Sequence, residues 1–407
     1  MYIKRHAELT VQKLSDMFGA VLVTGPRQVG KTTMLRELFA NLDYVSFDDA
    51  LNRMIAADTP NTFLKDNPPP VIYDEVQKAP GIFDGIKQNL DSSKKKGQFF
   101  LSGSQQLKMM SQVSESLSGR IGIMILLGLS LREKYEINDH TPFLATDEYM
   151  EKRKKKCPSI ASKDVWEMIW RGSMPELEVN PSFDWSIYYG SYVSTYIERD
   201  VKDLAQVGDT IKFTRFMELM AARNGQMLNL QTVAGEVGIS HPTAERWLSI
   251  LTASHIVYLM RPYSNSLTKR AVKTPKLYFL DTGLAAYLSH WNSAEVLKNG
   301  AMSGAFFETF VITEVLKSYY NAGILEPPIY YYRDKDKKEI DLIIEENGRI
   351  YPYEIKQHAD PSVRDLKNFD VLNRIADGLT GPGGVICLYD KPVTLRDAYR
   401  VIPIQYL

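Results

Sequence analysis

Cysteine is nearly missing from this chain: there are two in 407 residues, Cys157 and Cys387, far apart and outside any C-x-x-C pattern. That excludes a disulfide framework and a cysteine-built zinc site, and it points to a reducing compartment. Long apolar runs are missing too. The longest candidate, Gly122 to Leu131, falls well short of the roughly 20 residues that a membrane-spanning helix needs. Met1 to Leu14 has charges but lacks the apolar stretch of a secretory signal. These absences lead us to expect a cytoplasmic protein with no membrane partner. A surplus of one charge is the third lack. Lys+Arg and Asp+Glu are both 49, so global charge predicts no polyanionic partner and any basic face must be local. Internal repeats and long low-complexity segments are not found, and 44% hydrophobic with 24% charged residues is an ordinary globular composition with room for two or three domains.

What is present begins with Gly25-Pro26-Arg27-Gln28-Val29-Gly30-Lys31-Thr32, which fits G-x-x-x-x-G-K-[ST] and is followed by Thr33. The apolar run Ala20 to Val23 in front predicts a buried strand, and Met34, Leu35, Leu38, Phe39 and Leu42 behind it recur at helical spacing. Strand, glycine loop and helix is the context that the motif requires. Backbone N–H groups then point inward around a polyphosphate, and the helix N-terminus adds partial positive charge. Lys31 is expected to reach the β- and γ-phosphates of ATP, and the Thr32 hydroxyl to ligate Mg²⁺.

Tyr44 to Asp48 predicts a second strand, and Pro68-Pro69-Pro70 breaks the chain before the short strand Val71-Ile72-Tyr73. That strand delivers Asp74 and Glu75 at its C-terminal edge, where ligands of open α/β sheets bind. Asp74 is expected in the Mg²⁺ shell, and Glu75 is expected to orient or deprotonate the attacking water. Gln98 to Ser102 is the next strand; Ser104 just beyond it is either a reporter on the γ-phosphate or a plain turn serine. Arg120, before the run Ile121 to Leu127, is either a charge-stabilising finger for a neighbouring nucleotide or a surface arginine. Strands alternating with helices imply an α/β fold with a parallel sheet wound on both faces.

Four stretches taken in order, Gly25 to Thr32, Ile72 to Lys78, Leu101 to Ser104 and Ser118 to Ile121, resemble the AAA-type P-loop ATPases of bacteria and archaea. Those proteins are known mainly as ATP-binding proteins with a conjoined C-terminal domain of unknown function. Arg171-Gly172-Ser173-Met174-Pro175 and Tyr196 to Val201 are similar to further signature stretches of that family; Arg199 within the second is either a phosphate-sensing arginine or a salt-bridge partner.

Beyond about residue 140 the chain changes character. Glu151 to Lys156 is a charge run that reads as a surface connector. Between Asn229 and Tyr263 the pattern is a winged helix-turn-helix: Leu230 to Val237 as first helix, Gly238-Ile239 as turn, Ser240 as N-cap with Pro242 in the next first turn. Ala244, Trp247, Leu248 and Leu251 face the core by spacing, leaving Thr243, Glu245, Arg246 and Ser249 outward. The basic stretch holding Lys269, Arg270, Lys273 and Lys276 follows, so that DNA contact through Arg246, Lys269, Arg270 and Lys273 is expected, with a rigid lid or protein contact as the alternative.

In the last quarter, Asn347-Gly348 between two apolar-rich runs predicts a two-residue hairpin turn. Counting outward from it, Glu346 faces Arg349 and Asp341 faces Glu354, so two carboxylates lie side by side at about 5 Å between Cβ atoms. Lys356 projects from the same face. Asp341, Glu354-x-Lys356 and Glu308 on an upstream helix resemble the metal-dependent nuclease fold named for its PD-(D/E)xK pattern, although Ile340 stands where that pattern has proline and Asp336-Lys337-Lys338 also matches the triplet. The resemblance implies a divalent cation on Asp341 and Glu354. The reading as a whole is an AAA-type ATPase domain over 1–140, a helical connector over 141–210, a winged helix over 211–300 and a nuclease-like α/β domain over 301–407, in which ATP occupancy governs action on DNA. The alternative is a nucleotide-dependent switch or signalling ATPase without nuclease activity. Homo-oligomerisation is left open.

Overall fold

The computed structural model describes residues 2–103, 116–196, 210–264, 274–376 and 378–407. Its N-terminal third is a five-stranded parallel sheet in the order β2-β3-β4-β1-β5, made of Ala20–Thr24 (β1), Asp43–Ser46 (β2), Val71–Asp74 (β3), Phe99–Gly103 (β4) and Ile121–Ile125 (β5). β1, β3 and β4 are wholly buried, which is why they read as continuous apolar runs. Helices α1 (Ala7–Met17), α2 (Lys31–Leu38), α3 (Ala50–Asp58), α4 (Pro60–Asp66) and α5 (Ile82–Ser93) accompany them. The polar, proline-marked stretch before β3 is thus α3 and α4, the first capped by Asp49, whose carboxylate accepts from the N–H groups of Leu51 and Asn52.

The charge run does not form a loose connector. It is the end of a helix, Asp147–Lys156, whose cationic last turn suits the dipole. Arg153 in it is fully buried, with Nη2 donating to the Leu407 carbonyl at 3.2 Å.

In the middle of the chain, Leu230–Val237 and His241–Ala253 are helices joined at Gly238 (φ +75°), and Ser240 Oγ accepts from the Thr243 N–H at 3.3 Å. Ala244, Trp247, Ile250 and Leu251 are buried, so Ile250 takes the core place that spacing gave to the half-buried Leu248. Phe213 and Phe216 meet the Trp247 ring edge-on at 5.1 and 5.5 Å. A small antiparallel sheet, β6-β8-β7, lies alongside: Gln226–Met227 (β6), Val257–Met260 (β7) and Lys276–Phe279 (β8).

The C-terminal sheet runs β13-β14-β12-β11-β10-β9: Ile329–Arg333 (β9), Glu339–Glu346 (β10), Arg349–Lys356 (β11), Gly383–Cys387 (β12), Thr394–Arg396 (β13) and Tyr399–Pro403 (β14). β9 to β11 form an antiparallel meander, and β12 lies parallel to β11. The long helix Ser303–Asn321, buried along most of its length, packs against β5, β8 and β11, one strand from each sheet. One apolar core consequently runs from Ala7 to Leu407, and the three parts of the chain share it.

Candidate functional site

At the C-terminal edge of β1 the chain turns through Gly25 (φ +142°), where an added Cβ would lie 2.0 Å from the Leu126 carbonyl oxygen. Gly30, the N-cap of α2, is left-handed at φ +86°. These two positions give the loop its shape. Lys31 is buried, and its Nζ donates to the carbonyls of Gly25 (3.0 Å) and Pro26 (2.6 Å), so the ammonium is folded into the ring of the loop. Pro26 and Val29 are buried, Arg27 is half-buried, and Gln28 (φ +61°) and Thr33 are exposed at the rim.

β4 lies between β1 and β3, and this order brings three side chains together. Thr32 Oγ1 donates to Asp74 Oδ1 at 2.7 Å, Ser102 Oγ on β4 donates to the same oxygen, and Tyr44 Oη donates to Asp74 Oδ2 at 2.9 Å. Asp74 is buried and fixed from three sides, and a hydroxyl and a carboxylate converge there as oxygen donors suited to Mg²⁺. Glu75 follows in a left-handed conformation (φ +54°), uncommon outside glycine, and its carboxylate accepts from Gln77 Nε2.

Sequence reasoning missed Arg5, because nothing local marks it. Buried at 3% exposure, it donates through Nη1 to the Val29 carbonyl (2.7 Å) and through Nη2 to the Leu127 carbonyl (2.8 Å), while Nε meets Glu133 Oε1 at 3.0 Å. Burial pushes Glu133 up, but Arg5 and the N–H groups of Ser130 and His6 outweigh it and hold the carboxyl below its usual range. Beside this clamp a cavity of about 630 Å³ opens along Gln28, Gly30 and Thr33, lined also by Tyr2, Ile3 and Tyr188.

Arg120 stands apart from the loop, in keeping with the surface arginine that was one of its two readings. It precedes β5 at the end of the sheet opposite the loop, since Ile121 pairs with Ala20 and Thr24 with Ile125. Its guanidinium pairs with Asp91 at 2.5 and 3.1 Å, so it takes no part in this chain's own cradle. Ser104, Arg199, Lys269, Arg270 and Lys273 lie outside the described residues; Arg246 and Glu245 are exposed on His241–Ala253.

In the C-terminal sheet, Asn347 (φ +50°) and Gly348 (φ +74°) form the turn, Glu346 pairs with Arg349 and Leu342 with Tyr353, which sets Asp341 opposite Glu354. Lys356 Nζ lies between them, 3.2 Å from Asp341 Oδ2 and 2.7 Å from Glu354 Oε2. Burial and the facing Asp341 push Glu354 up to about 9, whereas Asp341, though burial opposes it, is held low by Lys356, Lys276 and the Ile355 N–H. Glu308 is on the expected helix and close enough for the Asp341 charge to act on it. Its Oε1 accepts from Lys276 Nζ (2.9 Å) and Tyr278 Oη (2.6 Å), and Lys276 also meets Glu339 at 2.5 Å. The Lys356 ammonium thus stands between Asp341 and Glu354, and that of Lys276 between Glu308 and Glu339. Among the described residues no group of three or more His, Cys, Asp or Glu side chains is arranged to hold a metal ion.

Comparison with known proteins agrees with the geometry of the cradle. A family described as AAA domain matches residues 18–135, and two domains of unknown function, DUF8612 and DUF4143, match 162–295 and 303–407. The uncharacterized protein Rv2008c of Mycobacterium tuberculosis is 27% identical over 363 residues, covering 88% of this chain and 75% of that protein, and Mb2031c of Mycobacterium bovis matches equally. Among solved structures, the Walker-type ATPase PABY2304 of Pyrococcus abyssi overlaps at a TM-score of 0.42 and 13% identity, over 70% of this chain and 96% of that one. The Thermotoga maritima RuvB Holliday junction branch migration motor overlaps at 0.29 and 14%, over 62% and 86%. No helix among the described residues is long and apolar enough to cross a membrane. With its phosphate loop, parallel sheet and matched span of 18–135, the N-terminal third is similar to the family described as AAA domain.

Proposed function

We propose that the chain is a Mg²⁺-dependent ATPase whose C-terminal parts respond to the nucleotide. The observation that carries this reading is the convergence of Thr32, Asp74 and Ser102 beside a loop that already holds the Lys31 ammonium inside its ring. The nucleoside is assigned to the cavity of about 630 Å³, which Tyr2 and Tyr188 line and from which Thr33 and Gly30 lead to the phosphates. Lys31 leaves the Gly25 and Pro26 carbonyls to meet the β- and γ-phosphates. Mg²⁺, held by Thr32 and Asp74, would neutralise phosphate charge when bound. Glu75 takes a proton from water as its oxygen attacks the γ-phosphorus in line; the bond to the β–γ bridging oxygen breaks, giving ADP and inorganic phosphate. Phosphate release by wild type and by Asp74→Asn at saturating Mg·ATP tests it. Loss of turnover by two orders of magnitude or more supports the reading, and equal turnover overturns it.

A second reading concerns the partner. Two helices meeting at Gly238 beside the sheet β6-β8-β7 support a winged helix, with Arg246 exposed for phosphate contact, and helix, meander and parallel β12 support a nuclease-like C-terminal fold. We assign no cleavage step to it. The nucleotide-dependent switch that binds DNA or a protein partner without nuclease activity is the reading carried forward.

A further inference from the structure

Two of the cavities beside the phosphate loop bear on how a nucleotide lies there. The wide one lies on the Gly30 and Thr33 side. The other, about 10 Å³ and thus room for roughly one water, lies on the Pro26 and Val29 side, and His255 lines its opposite wall. A nucleotide whose base occupies the wide cavity runs its phosphates along the loop towards Lys31, whose Nζ now sits on the Gly25 and Pro26 carbonyls. The terminal phosphate then points at the His255 side.

His255 comes from the middle of the chain, just after the helix His241–Ala253, yet it is 7% exposed against the loop. Its Nδ1 is buried without a hydrogen-bond partner among the described residues. Its backbone is held at φ +54° by bonds from the His255 N–H to the Thr252 carbonyl (3.0 Å) and from the Ile256 N–H to the Leu251 carbonyl (2.9 Å). Those two bonds are the usual cap of a helix end and account for the left-handed backbone; the buried, unpartnered Nδ1 is what packing alone leaves unexplained. Burial first, and then the Lys31 charge, pull its imidazole down to about 4, so it is neutral while the loop is closed on Lys31. The other ionisable groups facing this cavity are Tyr192 and Asp281. Asp281 is engaged through both oxygens, by Tyr189 and the Leu284 N–H on one and by Ser173 on the other.

We propose that His255 contacts the terminal phosphate of the bound nucleotide, so that the middle domain completes the ATP site and distinguishes ATP from ADP. The inference rests on the ATPase reading above. On arrival of the phosphate the imidazole gains an anionic partner and takes up a proton, so ATP binding strengthens as pH falls.

Calorimetric titration of the full chain with Mg·ATP and Mg·ADP tests it, on wild type, His255→Ala and His255→Gln at pH 6, 7 and 8. The expected result is a fall in ATP affinity of about 10- to 100-fold in His255→Ala, the scale of one hydrogen bond to a charged group, with ADP affinity within about twofold. Wild-type ATP affinity should also rise several-fold from pH 8 to pH 6 and stay flat in both variants. An unchanged ATP-to-ADP ratio in His255→Gln, or equal weakening of both nucleotides in either variant, overturns the proposal, since a merely structural histidine would affect both alike. Wild type that binds neither nucleotide defeats the ATPase reading instead.

Discussion

Arg5 and Val29 are joined by a 2.7 Å hydrogen bond from the guanidinium Nη1 to the main-chain carbonyl, and through it the N-terminal segment holds the phosphate loop in place. The same guanidinium neutralises the buried Glu133, whose Oε2 accepts from the Ser130 N–H ahead of the helix Leu131–Lys134. The loop is therefore braced from a residue that no motif marks.

Arg5→Met should cost about 3–5 kcal/mol in stability, because it strands a buried carboxylate. It should also weaken ATP binding by about tenfold as Val29 loses its tie, on the scale of one charged hydrogen bond. Adding Glu133→Gln should recover most of the stability and little of the affinity. Denaturant melts with nucleotide titrations separate the two effects; recovery of both together would show that Arg5 acts on the fold alone.

Glu75→Gln should keep nucleotide affinity within about twofold and lower turnover by about 10²–10⁴-fold, the usual contribution of a positioned base. Phosphate-release kinetics beside calorimetry measure this. Turnover equal to wild type removes the assigned role and leaves the proton to another group.

Much of this was legible from the chain, and the reason is locality. The phosphate loop builds itself from one stretch, so strand, glycines and helix could be placed without tertiary information. The opposition of Asp341 and Glu354 follows from Asn347-Gly348, because a two-residue turn fixes every pair beyond it. What escaped depends on contacts between distant residues. Arg5 reaches Val29 and Glu133, His255 reaches the loop from the middle domain, and Lys276, noted only as one of a basic stretch, ends on Glu308 and Glu339. The end of the sheet that Arg120 occupies was not legible, because a position next to a strand does not say which end it is. Arg153 looked like part of a solvated charge run, yet the Leu407 carbonyl accepts from it in the interior.

Lys276 carries a prediction of its own. Burial disfavours its charge, but Glu308, Asp341 and Glu339 together keep it protonated. Lys276→Met leaves the part-buried Glu308 without its ion-pair partner and should destabilise the protein by about 3–5 kcal/mol. Differential scanning calorimetry checks it, and an unchanged melting temperature would mean that the ion pairs contribute nothing net.

Glu354 gives a pH dependence. Its carboxyl is raised to about 9 in the folded protein, well above the value near 4.3 of an unfolded chain. A raised carboxyl binds its proton more tightly when folded, so its contribution is present below about pH 4.3 and is lost as pH rises to about 9. Wild type should therefore lose several degrees of melting temperature between pH 5 and pH 9 relative to Glu354→Gln, which carries no titrating group there. A difference between the two that stays constant with pH contradicts a Glu354 carboxyl raised by burial and the facing Asp341.

The central claim is that a triphosphate lies in the loop between Gly25 and Thr32 with its phosphates on Lys31. Isothermal titration of Mg·ATP into wild type and Lys31→Ala tests it most directly. Saturable one-site heat in wild type that is lost in a folded Lys31→Ala is the predicted result; equal heats in both, or none in wild type, would contradict it.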